Sequence, residues 1–132
     1  DSRYPLEVVS TGLPYLLVPL ASGIDRARIA GPDFERFLSG FGAKFAYLFD
    51  TATLDCRTWD NGGRVEDVAT GSAAGPLCAW LVKNGLRKSG ELIRLSQGRF
   101  AGRPSEITGW VKDGEVYIRG DVALFASGEV PS

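Results

Sequence analysis

Segment 71–86 constrains the fold of this chain more than any other part of the sequence. Its residues are small or apolar almost all the way around a helix, and they include Ala73, Ala74, Leu77, Cys78, Ala79, Trp80, Leu81 and Val82. A helix on the outside of a domain has one apolar stripe, whereas a helix that is apolar on all sides is buried. Lys83-Asn84-Gly85 supplies a cation and a left-handed cap candidate at its end. We therefore expect a buried helix enclosed by strands.

Most of the remaining segments have the length and composition of strands. Strands are predicted over residues 6–10, 14–20, 43–49, 53–59, 92–96, 106–112, 115–119 and 121–126. Asp113-Gly114 joins two of them and is a strong two-residue hairpin signal, and Gly31-Pro32-Asp33 opens one short outer helix. Seven or eight strands with one buried helix predict an α+β fold, in which a curved, barrel-like mixed β-sheet wraps around a central helix. Residues 1–132 are interpreted as a single domain.

Composition excludes several classes of partner. The chain has 15 basic and 16 acidic residues, with a net charge of −1, so it lacks the basic surplus that nucleic-acid binding requires. No apolar stretch approaches the ~18 residues that span a bilayer. The first residues do not resemble a signal peptide, and we expect a cytoplasmic protein. The sequence contains no methionine, which we interpret as a sign that it was trimmed, processed or cut from something longer.

The absence of histidine restricts the chemistry that the chain can perform. Without imidazole, proton transfer must use a carboxylate, lysine, tyrosine or cysteine. Cys56 and Cys78 lie in apolar segments and are interpreted as small buried hydrophobic residues, and two cysteines without histidine do not form a zinc site. No metal is expected.

The segment that enters the predicted helix carries the candidate site. Glu66 and Asp67 precede the helix, Thr70 or Ser72 can cap its first turn, and the small residues around Gly71 leave backbone N–H groups uncovered. Unpaired N–H groups and the helix dipole make such a start an anion site. Plain capping remains an alternative, since acids near a cap occur on most helices. The burial of the helix behind a Gly- and Ser-rich entry favours function.

The residues of this entry resemble a known signature. Glu66-Asp67-x-x-Thr70-Gly71-Ser72-Ala73, followed by Gly75-Pro76-Leu77, is similar to the E-D-P-x-T-G-S-A motif of the PhzF phenazine-biosynthesis isomerase family, which is related in fold to diaminopimelate epimerase. Further blocks agree in order: segments 9–14 and 17–20, Arg57 before the signature, Gln97-Gly98, and segment 102–105. The resemblance covers essentially the whole chain, but only about the second half of a family member.

The resemblance implies a two-lobed isomerase or epimerase, with the active site between two lobes that each curve around a central helix. Members shift a proton on a small carboxylate metabolite without a cofactor. By this resemblance Asp67 is the catalytic group of this lobe, and Thr70, Gly71 and Ser72 bind the substrate, with possible support from Glu66 and Arg57. The family's principal acid/base glutamate and its histidine belong to the first lobe, so this chain alone is expected to be inactive.

The resemblance also implies the partners. They are a small carboxylate substrate, an N-terminal lobe from the same or a second chain, and further copies in a homo-oligomer such as a dimer. Val68 stands where the signature has proline, which leaves the position of Asp67 less fixed. The alternative, from a different class, is a non-catalytic carboxylate-binding or dimerisation module in which the lobe stands alone.

Overall fold

A computed structural model describes all 132 residues. Seven strands form one curled mixed sheet whose order follows the sequence. The strands are β1 (Glu7–Ser10), β2 (Pro14–Leu20), β3 (Phe45–Asp50), β4 (Asp55–Arg57), β5 (Ile93–Gln97), β6 (Ser105–Lys112) and β7 (Glu115–Arg119), and the helices are α1 (Phe34–Ser39) and α2 (Gly71–Lys83). The β2–β3 and β4–β5 pairs are parallel and the other neighbours are antiparallel.

Strand β2 is covered on both faces, as its unbroken apolar sequence predicts. Tyr15 and Leu17 pack into the larger of two cores, together with residues of α2. Leu16 points to the opposite face and joins a smaller core with Leu38 of α1. The predicted bounds of this strand are confirmed, because a fully buried strand has no polar position that would blur its ends.

Helix α2 carries most of the larger core. Eight of its thirteen residues are buried, and Leu77, Trp80 and Leu81 are completely inaccessible to solvent. The helix contacts β1 and β2 at one side of the sheet and β6 and β7 at the other. A flat sheet of seven strands is about 29 Å wide, whereas a helix is about 10–12 Å across. The sheet must therefore curl for both edges to reach the same helix.

Pro76 lies inside α2 and not at its first positions. It is the sixth residue of the helix, beyond the four N-terminal positions whose N–H groups lack an intrahelical acceptor in any case. The missing N–H therefore removes one regular bond, the one that the Ser72 carbonyl would accept.

The hairpin between β6 and β7 has the predicted turn. Asp113 and Gly114 have φ values of 51° and 78°, the left-handed conformation at both central positions that a type I′ turn requires. The adjoining pair Lys112↔Glu115 closes the ladder.

Two strand predictions differ from the structure. The segment 53–59 forms only the short β4, followed by an isolated bridge between Trp59 and Glu66. The predicted strand 121–126 is wrong. Residues 120–132 form no helix or strand, and Val122 and Phe125 are 95% and 100% exposed. An apolar pattern alone does not make a strand, because the backbone ladder needs a partner.

Both cysteines are buried, as predicted, with Cys56 in β4 and Cys78 in α2. No helix of the chain has the length and hydropathy of a bilayer span.

Candidate functional site

The loop that leads into α2 is anchored by an arginine. The Arg57 side chain meets the carboxylate of Glu66 at two points, with Nε–Oε1 and Nη2–Oε2 distances of 2.8 Å. Its Nη1 donates to the carbonyl oxygens of Ile24 and Asp25, both at 3.0 Å. The guanidinium also lies against the rings of Trp59 and Phe100, 4.7 and 4.8 Å from their centroids.

These contacts determine what Arg57 and Glu66 contribute. Their side chains are only 6% and 11% exposed, and each satisfies the charge of the other. Four of the five N–H groups of Arg57 are occupied within the chain. The pair therefore fixes the start of the loop, immediately before Asp67, and neither residue presents a free charge to solvent.

Asp67 is exposed and is bonded to the last residue before the helix. Its backbone N–H donates to the Thr58 carbonyl at 3.0 Å, and its Oδ2 accepts a hydrogen bond from the Thr70 hydroxyl at 2.6 Å. Thr70 occupies the N-cap position, but its hydroxyl does not cap the helix. The expectation of a Thr70 or Ser72 side-chain cap is thus wrong, because the nearby carboxylate and the Tyr15 hydroxyl engage these side chains instead.

Gln97 at the end of β5 holds this turn from the other side. Its Nε2 donates to the Asp67 carbonyl at 2.9 Å and to Thr70 Oγ1 at 2.8 Å. Its Oε1 accepts from the Thr70 N–H at 3.2 Å and from the Tyr47 hydroxyl at 2.8 Å. The sequence identified Gln97 only as part of a motif. A polar residue at the end of an apolar strand was the available signal, but its partners lie 27 to 50 positions away.

The first two N–H groups of α2 are free. The N–H groups of Ala73 and Ala74 both donate to the Thr70 carbonyl, at 3.2 and 3.1 Å, whereas those of Gly71 and Ser72 make no hydrogen bond within the chain. Both residues are exposed, and no atom of another part of the chain lies within 4 Å of the space where Gly71 would carry a Cβ. The helix start is therefore not sealed by bulky side chains.

A small cleft of about 130 Å³ lies beside the helix start. Its lining consists of Tyr15, Phe45, Thr58, Trp59, Asp67 and Thr70. Gly71 and Ser72 do not line it, but the Ser72 hydroxyl is 2.8 Å from the hydroxyl of Tyr15. The structure thus brings Asp67 and Thr70 into the lining of one cleft and bonds Ser72 to a third lining residue, Tyr15, whereas Arg57 and Glu66 do not line the cleft. That the Gly71 N–H faces into the cleft stays a prediction.

The turn between β1 and β2 packs tightly onto the first turns of α2. A Cβ at Gly75 would lie 2.9 Å from the Thr11 hydroxyl oxygen, closer than non-bonded atoms approach. Glycine at this position therefore allows the turn and the helix to meet.

The structure brings together no group of three or more Cys, Asp or Glu side chains that could share a metal ion. The expectation that the reaction needs no metal or cofactor stays a prediction.

Comparison with known proteins places these features in a family. The model of the phenazine biosynthesis-like protein family matches residues 1–128. Trans-2,3-dihydro-3-hydroxyanthranilate isomerases of Pseudomonas fluorescens and Pseudomonas chlororaphis are each 38% identical to the chain over 111 residues, which are 80% of this chain and 38% of the relative. The isomerase of the same name from Pseudomonas aeruginosa is 34% identical over 138 residues, covering 96% of this chain and 48% of the relative.

A solved structure, described as that of a predicted epimerase from Pseudomonas aeruginosa, superposes with a TM-score of 0.87 at 51% identity. It matches 96% of this chain and 45% of the solved chain. The chain spans less than half the length of each of these relatives. Since the family model matches nearly every residue, the chain belongs to the phenazine biosynthesis-like (PhzF) protein family.

Proposed function

We propose that this chain is one lobe of a two-lobed, cofactor-independent isomerase or epimerase that shifts a proton on a small carboxylate metabolite in the cytoplasm. The names of the relatives, which are isomerases of an aminated cyclic carboxylate, support this class of reaction. We also propose that the curled sheet with α2 at its centre constitutes the whole of this lobe, and that a first lobe closes the cleft.

The observation that carries the proposal is the pair of unbonded N–H groups of Gly71 and Ser72 beside a cleft that contains Asp67. Two adjacent N–H donors at the positive end of a thirteen-residue helix are suited to a carboxylate of the substrate. The Ser72 hydroxyl adds a third donor if its proton points to the substrate, an arrangement available when Tyr15 donates to Ser72. Thr70 lies behind these groups and shapes the cleft.

Asp67 is proposed as the proton-transfer group of this lobe. It is an exposed carboxylate in the lining of the cleft, and the chain has no histidine that could take its place. The resemblance assigns the family's principal acid/base glutamate and a nearby histidine to the first lobe. On this proposal the chain alone binds carboxylates but does not turn over substrate.

Deuterium exchange tests the proposal directly. The full-length protein should incorporate solvent deuterium into trans-2,3-dihydro-3-hydroxyanthranilate, used as the probe because the relatives are named for it. Asp67→Asn should reduce the rate by about 10²- to 10⁴-fold, the contribution of a positioned acid or base. Asp113→Asn is the matched control, since Asp113 lies in the β6–β7 turn, where asparagine is equally suited. Equal exchange rates for wild type and Asp67→Asn would remove Asp67 from the mechanism.

The alternative is a non-catalytic carboxylate-binding or dimerisation module, and a separate surface supports the dimerisation part of it. An apolar groove of about 280 Å³ lies on the outer face of β2 and β3 beside α1. Leu6 and Phe37 line it and are 63% and 55% exposed. Exposed apolar surface of this kind favours association. Light scattering and the deuterium-exchange assay together distinguish the two functions. A non-catalytic module should self-associate and bind carboxylates, but it should show no deuterium exchange that depends on Asp67.

A further inference from the structure

Gln97 satisfies its side-chain hydrogen-bonding capacity in full inside the protein. The residue is 1% exposed. Both Nε2 protons are donated, and both lone pairs of Oε1 are used, so the side chain has no free donor or acceptor. A buried amide with four partners has a single orientation, because the Thr70 N–H can only donate and must face Oε1. Gln97 is therefore a rigid reference point for the turn between Asp67 and Thr70.

This orientation determines the direction of the next hydrogen bond. Because Thr70 Oγ1 accepts a proton from Gln97 Nε2, its own hydroxyl proton is directed to Asp67 Oδ2, 2.6 Å away. Oδ2 is then occupied as an acceptor. The other carboxylate oxygen of Asp67, Oδ1, has only a long 3.5 Å contact with the Ala69 N–H. The two oxygens are thus unequal, and Oδ1 is the one that remains available.

Tyr47 fixes the far end of this chain of hydrogen bonds. It is completely buried and donates to Gln97 Oε1 at 2.8 Å. Burial raises the pKa of the Tyr47 hydroxyl well above its ordinary value, so the group keeps its proton at any physiological pH. The hydrogen bonds run from Tyr47 through Gln97 and Thr70 to Asp67. Neither Tyr47 nor Gln97 lines the cleft.

We propose that Gln97 is a positioning residue that acts through Thr70 to hold the Asp67 carboxylate with Oδ2 as an acceptor and Oδ1 free for proton transfer. This role rests on the proposed function of Asp67. It differs from a purely structural one, because it requires the donor at position 97 and not merely a side chain that fills the space.

Removal of an Nε2 proton tests the proposal. Gln97→Glu keeps the size and the Oε1 acceptor but replaces an amide with two protons by a carboxyl with at most one. The Asp67 carbonyl, which can only accept, takes any proton that remains, so Thr70 Oγ1 loses its donor and its own proton is no longer directed to Asp67. In the full-length protein we expect kcat for deuterium exchange into trans-2,3-dihydro-3-hydroxyanthranilate to fall about 10- to 100-fold, in the range caused by small misplacements of a catalytic group. KM should change less than about 3-fold, since the N–H groups of Gly71 and Ser72 are untouched.

Thr70 variants test the route and guard against misfolding of Gln97→Glu. Thr70→Val removes the hydroxyl and should lower kcat as much as Gln97→Glu does, whereas Thr70→Ser, which keeps the hydroxyl, should lower kcat much less. In the Thr70→Val background, Gln97→Glu should add no further loss, because coupled residues are non-additive. Thr51→Val is the control for stability. This variant loses a comparable hydroxyl hydrogen bond, shared between Asp1 Oδ2 and the Leu20 carbonyl, at the opposite end of β2 and β3 from Tyr15, and its kcat should be unchanged.

A direct measurement separates this inference from the proposed function. The side-chain carboxyl ¹³C resonance of Asp67, recorded at neutral pH, should shift in Gln97→Glu and Thr70→Val and stay in place in Thr70→Ser and Thr51→Val. If wild type shows no exchange but the resonance shifts as stated, the proposed reaction fails and the positioning role stands. An unmoved Asp67 resonance, or a kcat equal to wild type in folded Gln97→Glu, overturns the inference.

Discussion

Arg57 and Glu66 form a two-point ion pair that is almost completely removed from solvent, with both N–O distances at 2.8 Å. Planar guanidinium and carboxylate groups match in this geometry, which gives direction as well as attraction. The pair contributes through its position more than through its net free energy, because the cost of removing two charges from water offsets much of their attraction. Glu66 of this pair immediately precedes Asp67 in the chain.

Breaking this pair from one side should destabilise the protein strongly. We expect Arg57→Met to lower the free energy of unfolding by about 3–5 kcal/mol, since it leaves the Glu66 charge buried without a partner. Urea unfolding at neutral pH measures the change. The double variant Arg57→Met/Glu66→Gln should recover part of the loss. As a control, Lys83→Met breaks an exposed ion pair with Glu7 and should lower the free energy of unfolding by at most about 1 kcal/mol. An equally small decrease for Arg57→Met would show that the buried Glu66 charge does not need its partner.

Ser72→Ala should weaken carboxylate binding. The variant removes one hydroxyl beside the free N–H groups, and we expect a loss of about 1–2 kcal/mol in the binding of 2-aminobenzoate, the order of a hydrogen bond to a charged group. Calorimetry on the full-length protein measures it. Ser89→Ala, an exposed serine that bonds the Val111 carbonyl, should bind normally. If Ser72→Ala and wild type have the same affinity, the Ser72 hydroxyl is not part of the site.

The pair of Asp55 and Arg99 should make stability depend on pH in acid. The hydrogen bond from Arg99 holds the pKa of the Asp55 carboxyl below its ordinary value. Above about pH 5 both the folded and the unfolded protein carry the ionised group, and its stabilising effect is complete. As the pH falls below about 4, the unfolded state takes up a proton first, and the effect is lost. The stability difference between wild type and Asp55→Asn should therefore be constant near neutral pH and shrink in acid, as thermal unfolding from pH 2.5 to 7 would reveal.

The two cysteines should be unreactive in the folded protein. Burial raises the pKa of the Cys56 and Cys78 thiols to about 12, so the reactive thiolate is scarce at pH 8, and the side chains are inaccessible. An aromatic disulfide reagent should modify neither in the native state and both after unfolding in urea. Rapid modification of one thiol in the native protein would show that the core around α2 opens.

Sequence patterns predicted the secondary structure correctly where neighbouring residues alone determine the backbone conformation. The unbroken apolar run of β2 gave its correct bounds, and Asp113-Gly114 was sufficient for the hairpin, because the left-handed turn depends on those two residues alone. The segment 121–126 has an equally apolar composition, but its conformation depends on a strand beside it. The apolar pattern of a segment does not show whether a partner strand lies beside it, and the prediction of a strand at 121–126 was wrong.

The candidate site, like the fold, was predictable only where neighbouring residues in the sequence determine it. The motif placed Asp67, Thr70 and Ser72 in one short stretch. In the structure Asp67 and Thr70 line one cleft, and Ser72 is bonded to Tyr15 of the same lining. Local reasoning offered the Thr70 or Ser72 side chain as the helix cap, since a cap is the common role of these residues at a helix start. The competing acceptor, Asp67, was visible in the sequence. Gln97 was identified only as part of a motif, and its contact with Thr70 was not predictable, because the fold alone brings β5 against the helix entry.

The hydrogen bonds that assemble the site connect distant parts of the chain. Tyr15 and Ser72 are separated by 57 positions, and Tyr47 and Gln97 by 50. Closing such long loops costs chain entropy before any contact repays it, so folds dominated by these pairings form slowly. Helix α2 is local and can form early during folding, but the hydrogen bonds from Gln97 to the helix entry form only after β5 has docked. A nascent chain that ends before Gln97 should accordingly have the helix without the contacts that hold Asp67 and Thr70 at its entry.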